Sequence, residues 1–308
     1  MLRLVSIFVT GICSVAALGE QPNIVFFIAD DMTYTDSSVY GHPDVKTPNL
    51  ERLASEGMTF SRTFTGSAMC SPTRHMIYTG QFPVRNGGYP NHAKARPGTK
   101  SVVHYMEALG YRVGLAGKLH VAPEEVFPFE MVGGRDLDFR AIEEFMTRGG
   151  NKPYCLILAS KEPHMPWDKG DASAYSADAV TLPGYFADTP ETRAALVRYF
   201  AEITYMDGQV GRALDLLAKH GQDKDTLVMF STEQGISAPH AKWTLYDVGV
   251  RGGMIVRWPG RISGGTRGDA LIQYSDFLPT WIDAAGGDVE PAIEGRSFMD
   301  VLEGKRES

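Results

Sequence analysis

Asn23-Ile24-Val25-Phe26-Phe27-Ile28-Ala29-Asp30-Asp31 carries a continuous apolar run that stops on two carboxylates. An unbroken run, instead of an alternating one, fits a strand covered on both faces, as in a parallel sheet. Working outward, further strands are expected at 112–116, 154–159, 226–230 and 254–258. Helices are expected between them. Thr47-Pro48 supplies an N-cap and a proline at the first helical position, and that helix closes at Gly57. Residues 73–78 and 101–109 read as helices. Thr189-Pro190-Glu191 opens a long helix whose Leu196, Phe200, Ile203, Val210, Leu214 and Leu217 keep one apolar face until Gly221. A last helix is expected at 275–285. Strands alternating with helices imply an α/β sandwich around a mostly parallel sheet, with helices on both faces.

The 308 residues are 43% hydrophobic and 22% charged, which excludes disorder, collagen and coiled coil as the main state. A net charge of −7 opposes non-specific binding to nucleic acid or anionic membrane. An anionic ligand must therefore be held by local cations. Three cysteines are too few for a disulfide scaffold. Residues 1–19 read as a secretory signal peptide: Arg3, an apolar stretch over 4–18, then Ala17-Leu18-Gly19 at the cleavage point. The alternative is a retained anchor. Cys13 would leave with the signal, the protein would be secreted or periplasmic, and no later stretch is long enough to span a bilayer.

In open parallel sheets, ligands sit at the carboxyl ends of the strands. Asp30 and Asp31 follow the first strand, Lys161, Glu162, Pro163 and His164 the strand at 154–159, and Glu233 and Gln234 the strand at 226–230. One rim thus collects carboxylates, an amide and a histidine. Adjacent carboxylates at a strand end can share Ca2+ or Mg2+, although a lone Asp-Asp is more often a solvated turn. Cys70-Ser71-Pro72-Thr73-Arg74 places a cysteine at a helix N-terminus, with Arg74 one turn on and facing the same way. Two duller readings remain open there: a buried structural cysteine, or a disulfide with Cys155.

Cys70-x-Pro72-x-Arg74 resembles the signature of the type I sulfatases, in which the cysteine is oxidised to formylglycine. Gly110-Tyr-Arg-Val-Gly-Leu-Ala-Gly117-Lys118-Leu-His120 resembles their second signature. Further family-like landmarks are 47–54, Thr79-Gly80, Pro163-His164-Met-Pro166, Leu245-Tyr-Asp-x-Gly249-x-Arg251, 256–260 and Gly295-Arg-Ser297. The resemblance covers the chain from Pro22 to about Gly304. It implies an alkaline-phosphatase-like sandwich and a sulfuric ester or sulfamate hydrolase acting on a sulfated glycan. It also gives roles. Asp30, Asp31, Cys70, Glu233 and Gln234 would hold one divalent cation, Ca2+ by expectation and Mg2+ as the alternative. Cys70, as the hydrated aldehyde, would supply the nucleophilic hydroxyl. Arg74 and Lys118 would neutralise and orient it, His120 would be its proton partner, and His164 and Lys242 would grip the sulfate. A sulfate ester carries negative charge, so a metal with Lys and Arg offsets the repulsion an attacking group meets. After attack, a second hydroxyl on the same carbon can expel sulfate and restore the aldehyde. The implied partners are a sulfated saccharide and a formylglycine-generating maturation enzyme. The stretch 120–130 with Asn86-Gly-Gly-Tyr89 is similar to the sulfamidases that remove N-linked sulfate from glucosamine. His75 and His104 read as structural, His92 as structural or at the pocket rim, and His240 and Tyr111 stay undecided.

The chain departs from the family in two places. Glu233-Gln234 stands where the family carries Asp followed by Asn or His, each side chain here being one methylene longer. The sequence ends at Ser308, where family members continue into an antiparallel C-terminal subdomain, so residues 20–308 are expected to form the catalytic domain without it. Two rival readings stand beside this one: a phosphatase or phosphodiesterase of the same superfamily, and an inactive, truncated glycan-binding relic.

Overall fold

The structure is a computed structural model that describes residues 21–306; the expected signal segment lies outside the described residues. Its strands are β1 (Asn23–Ala29), β2 (Met58–Phe64), β3 (Arg112–Gly117), β4 (Glu130–Met131), β5 (Tyr154–Ala159), β6 (Thr226–Thr232), β7 (Arg251–Arg257), β8 (Thr266–Gly268) and β9 (Ile272–Gln273). Its helices are α1 (Pro48–Ser55), α2 (Cys70–Thr79), α3 (Pro83–Asn86), α4 (Val102–Ala108), α5 (Phe139–Thr147), α6 (Pro190–Lys219), α7 (Asp247–Val250), α8 (Phe277–Ala284) and α9 (Met299–Leu302). The strands form one sheet in the order β4-β3-β5-β1-β6-β7-β2-β8, with β9 also on β2. Every pairing is parallel except the two made by β7.

The continuous apolar run has its expected cause. Ile24, Phe26 and Ile28 enter one core with α2, α4 and α8, while Val25, Phe27 and Ala29 enter a second core with α1 and α6. β1 is therefore covered twice, with no polar face to alternate. α6 runs 30 residues across the second face, N-capped by the Thr189 side chain as expected. The expected strand at 254–258 is longer and antiparallel, and the expected helix at 275–285 begins with a 3-10 turn at Tyr274–Asp276. β2 and α5 were not among the expected elements. Among the described residues, no helix is long and apolar enough to cross a membrane.

The sheet aligns its carboxyl ends through backbone bonds that continue past the strands. The Glu233 amide donates to Ala29 O (3.0 Å), the Asp30 amide to Glu162 O (3.0 Å) and the Lys118 amide to Ala159 O (2.8 Å). Gly117 makes the last of these possible. Its φ is +93°, and a Cβ there would lie 2.2 Å from Ala159 O.

Under this edge, Glu202 of α6 is fully buried against Glu162, and its Oε2 accepts the Lys169 amide (2.8 Å). Burial first, then the facing Glu162, push Glu202 up to about 8 from its ordinary 4.5. The folded state therefore holds one more proton than the unfolded state between those values, and stability falls as pH rises through that window. Glu202→Gln should flatten this fall and be the more stable protein above about pH 8. Denaturant unfolding at several pH values measures it. An identical slope in both proteins would contradict the assignment.

Candidate active site

Three carboxylates and three cations meet where β1 and β6 end. Asp30, Asp31 and Glu233 are all essentially buried, and so are Arg74 and Lys242. Each cation reaches its carboxylate from a different element. Arg74 of α2 donates through Nε to Glu233 Oε1 (2.6 Å) and through Nη1 to Lys118 O (2.5 Å), and its Nη2 lies 3.9 Å from Asp30 Oδ2. Lys118, after β3, pairs with the same Asp30 oxygen. Lys242, in the loop before α7, donates to Asp31 Oδ2 at 2.7 Å, and His164 Nε2 stands 3.5 Å from that oxygen. The Gln234 amide donates to Asp31 Oδ1.

α2 explains how Arg74 can be there. All ten of its residues are buried, so its i, i+4 pair Cys70 and Arg74 both point into the protein. Cys70 begins the helix, a position that ordinarily lowers a thiol. Here burial, followed by the Glu233 carboxylate, outweighs that effect and raises Cys70 to about 11. Cys70 and Cys155 are both free and buried, so the disulfide alternative is not formed.

The carboxylates do not titrate alike. Burial would raise Asp30, but the adjoining Glu233, with the Lys118 and Arg74 cations, holds it below its usual value. Glu233 is raised far above its own, by burial first and by Asp30, with Arg74 opposing. Asp30 Oδ1, Glu233 Oε2 and Gln234 Oε1 are buried oxygens without a hydrogen-bond partner. Ligand atoms of Asp30, Cys70 and Glu233 lie within 4.8 Å of one another, the single such group of three or more among the described residues. Buried oxygen donors left without partners are what a hard divalent cation would satisfy. The longer Glu233 side chain still delivers an oxygen to this point, whereas Asp31 lies outside this group of three, engaged by Lys242 and by Gln234, which directs its nitrogen at it.

A pocket of about 890 Å3 opens beside Asp30, Lys118, His120 and His164, with Arg135, Lys161 and Lys169 on its walls. Burial first, then Lys118 and Arg74, lower His120 to about 3, so its ring is neutral. Its Nε2 meets His92 Nδ1 at 3.0 Å. Asn91 lies between this pair and α2, its Oδ1 accepting the Ser71 amide (3.3 Å) with Cys70 Sγ at 4.0 Å. Asn91 is not among the residues the sequence singles out, and His92 is expected to be structural or at the rim; their nearness to the Asn86-Gly-Gly-Tyr89 stretch is the available signal. His75 bonds Ser71 O and Ala122 O, His104 closes a capping box with Ser101, and Tyr111 donates to Pro22 O, all structural roles. His240 packs on Tyr246 and Tyr185.

A family model described as Sulfatase matches residues 22–138 and 135–287. An ulvan-active sulfatase of Formosa agariphila is 33% identical, over 94% of this chain and 59% of its own length. The human N-sulphoglucosamine sulphohydrolase is 26% identical, over 96% of this chain and 68% of its own. The chain thus spans about three fifths to two thirds of these relatives. A structure solved in complex with its substrate D-glucosamine-2-N,6-O-disulfate superposes with a TM-score of 0.78 at 22% identity, over 92% of this chain and 80% of that one.

Adding Ca2+ should raise the melting temperature progressively, by a stabilisation of about 2.7 kcal/mol at a hundredfold excess over Kd. Asp30→Asn and Glu233→Gln should each weaken the effect strongly. A wild-type melting temperature indifferent to both Ca2+ and Mg2+ would contradict a cation site here.

Proposed function

This chain belongs to the sulfatase family, and from that premise we propose that it hydrolyses a sulfate ester or sulfamate on a saccharide, releasing inorganic sulfate. The observation that carries the reading is Cys70 fixed at the mouth of α2, within reach of Asp30 and Glu233 and backed by Arg74. With its pKa near 11, Cys70 is a protonated thiol at neutral pH and a poor nucleophile. A thiol is also a poor companion for the hard cation that the surrounding oxygens suit. Both mismatches vanish if Cys70 is oxidised to formylglycine by a maturation enzyme, because the hydrated aldehyde supplies a hydroxyl nucleophile and a second hydroxyl for releasing sulfate.

The remaining roles belong to the chain's own residues. Asp30, Asp31, Glu233 and Gln234 would hold one divalent cation, which when bound supplies positive charge against the sulfate oxygens. Arg74 and Lys118 hold the Asp30 and Glu233 carboxylates in place and add charge beside Cys70. Lys242 and His164 both contact Asp31, and His164 lines the pocket; they would bind sulfate oxygens and the leaving oxygen. His120, whose Nδ1 has no partner among the described residues, would hydrogen-bond the oxygen that Cys70 would carry.

Support for a saccharide comes from the names of the relatives, ulvan-active and N-sulphoglucosamine-active. It also comes from a pocket whose Arg135, Lys161 and Lys169 suit a polyanionic chain. The N-terminal segment supports export to a secreted or periplasmic location. A two-metal phosphatase would need more ligands than the single group found among the described residues.

The test is sulfate release from a panel of sulfated mono- and disaccharides by protein matured with a formylglycine-generating enzyme. Release by the wild type and loss by at least about a hundredfold in Cys70→Ala are expected. Phosphate-ester turnover without sulfate release, or full activity in Cys70→Ala, would overturn the reading.

A further inference from the structure

The tautomer of His120 follows from a one-way run of hydrogen bonds that starts on α2. The Ser71 amide donates to Asn91 Oδ1 at 3.3 Å. A backbone N–H can only donate, so this contact fixes which end of the Asn91 amide faces the helix. The other end, Nδ2, lies 3.2 Å from His92 Nε2. Nδ2 also can only donate, so His92 Nε2 accepts and that ring carries its proton on Nδ1. His92 Nδ1 is 3.0 Å from His120 Nε2. His120 Nε2 is therefore the acceptor, and neutral His120 carries its proton on Nδ1.

Two further observations bear on this run. His120 Nδ1 is buried and has no partner among the described residues. A buried N–H left unsatisfied is costly, and such groups are uncommon in folded proteins. His92 and His120 also both have a left-handed backbone, at φ +65° and +52°. Residues other than glycine rarely adopt this conformation, and it costs free energy that recurs at functional sites. The two rings lie 4.8 Å apart, centroid to centroid, at the pocket wall.

We propose that Asn91 and His92 are positioning residues that hold His120 as a neutral hydrogen-bond donor, its Nδ1–H offered to an oxygen at the reacting centre. This deepens the sulfatase reading and rests on it for the identity of that oxygen, one carried by oxidised Cys70 or by the bound sulfate. His120 would stabilise negative charge on the oxygen without itself carrying charge. His92 also lines the pocket, so an effect that passes through His120 is told from one on saccharide binding by whether kcat or KM changes.

The experiment is histidine-selective 15N NMR on the full chain, with sulfate-release kinetics on the same samples and the His120 signals assigned by their loss in His120→Gln. Wild type should show a protonated-type Nδ1 and an unprotonated-type Nε2 for His120. His92 is exposed, so His92→Phe should keep the fold. That variant should lose the tautomer preference and lower kcat about 10- to 100-fold, with KM little changed. His92→Gln, whose amide can still donate to Nε2, should restore the tautomer and much of kcat. A wild-type His120 protonated on Nε2, or an unchanged tautomer in His92→Phe, would overturn the proposal. Absent sulfate release with the tautomer shift still seen would count against the sulfatase reading and in favour of the positioning role.

Discussion

Burying three carboxylates at the meeting point of β1 and β6 is the constraint on which the rest of the site depends. Two unit charges about 4 Å apart interact by about 4 kcal/mol near a protein surface, and more strongly where water is excluded. Asp30, Asp31 and Glu233 cannot share that space as bare anions. The fold therefore brings cations from three directions: Arg74 from α2, Lys118 from the end of β3, and Lys242 from the loop before α7. Each contact also ties its element to the sheet edge. Removing one partner of a buried pair typically costs about 3–5 kcal/mol, so these residues anchor the structure whatever chemistry they perform.

The same compensation decides what Cys70 can do. A cysteine at a helix N-terminus ordinarily tends toward thiolate, yet here burial and the Glu233 carboxylate hold the proton on sulfur. The cations that would favour a thiolate are already committed: Arg74 to Glu233 and Lys118 to Asp30. The unsatisfied oxygens of Asp30, Glu233 and Gln234 call for a hard cation, next to which sulfur is the odd atom. An oxygen on the Cys70 side chain reconciles the two.

Much of this was legible from the sequence because it is one-dimensional information. The run after Asn23 declares a doubly covered strand, and the residues just past each strand must lie on one rim once the strands are parallel. What was not legible depends on three-dimensional neighbours. β2, Met-Thr-Phe-Ser-Arg-Thr-Phe, carries four polar residues because it lies toward the sheet's edge, flanked by β7 and the short β8 and β9, so its apolar signal is weak. α5 lies beyond the stretch 120–130 that was read for its motif, and its apolar face, Phe139, Ile142, Phe145 and Met146, was overlooked. The direction of β7 cannot be read from its composition, since a strand buried on both faces looks the same either way. Asn91 and His92 acquire meaning only when the turn after α3 folds back over Cys70 and His120.

The central claim is that this site works through an oxidised Cys70 and not through a thiol. The most direct measurement is the mass of the peptide containing Cys70, taken from protein shown to be active on a sulfated substrate. The account requires that peptide to carry an aldehyde in place of the thiol, in proportion to the activity. Active protein whose Cys70 is entirely free thiol, or joined to Cys155, would contradict it.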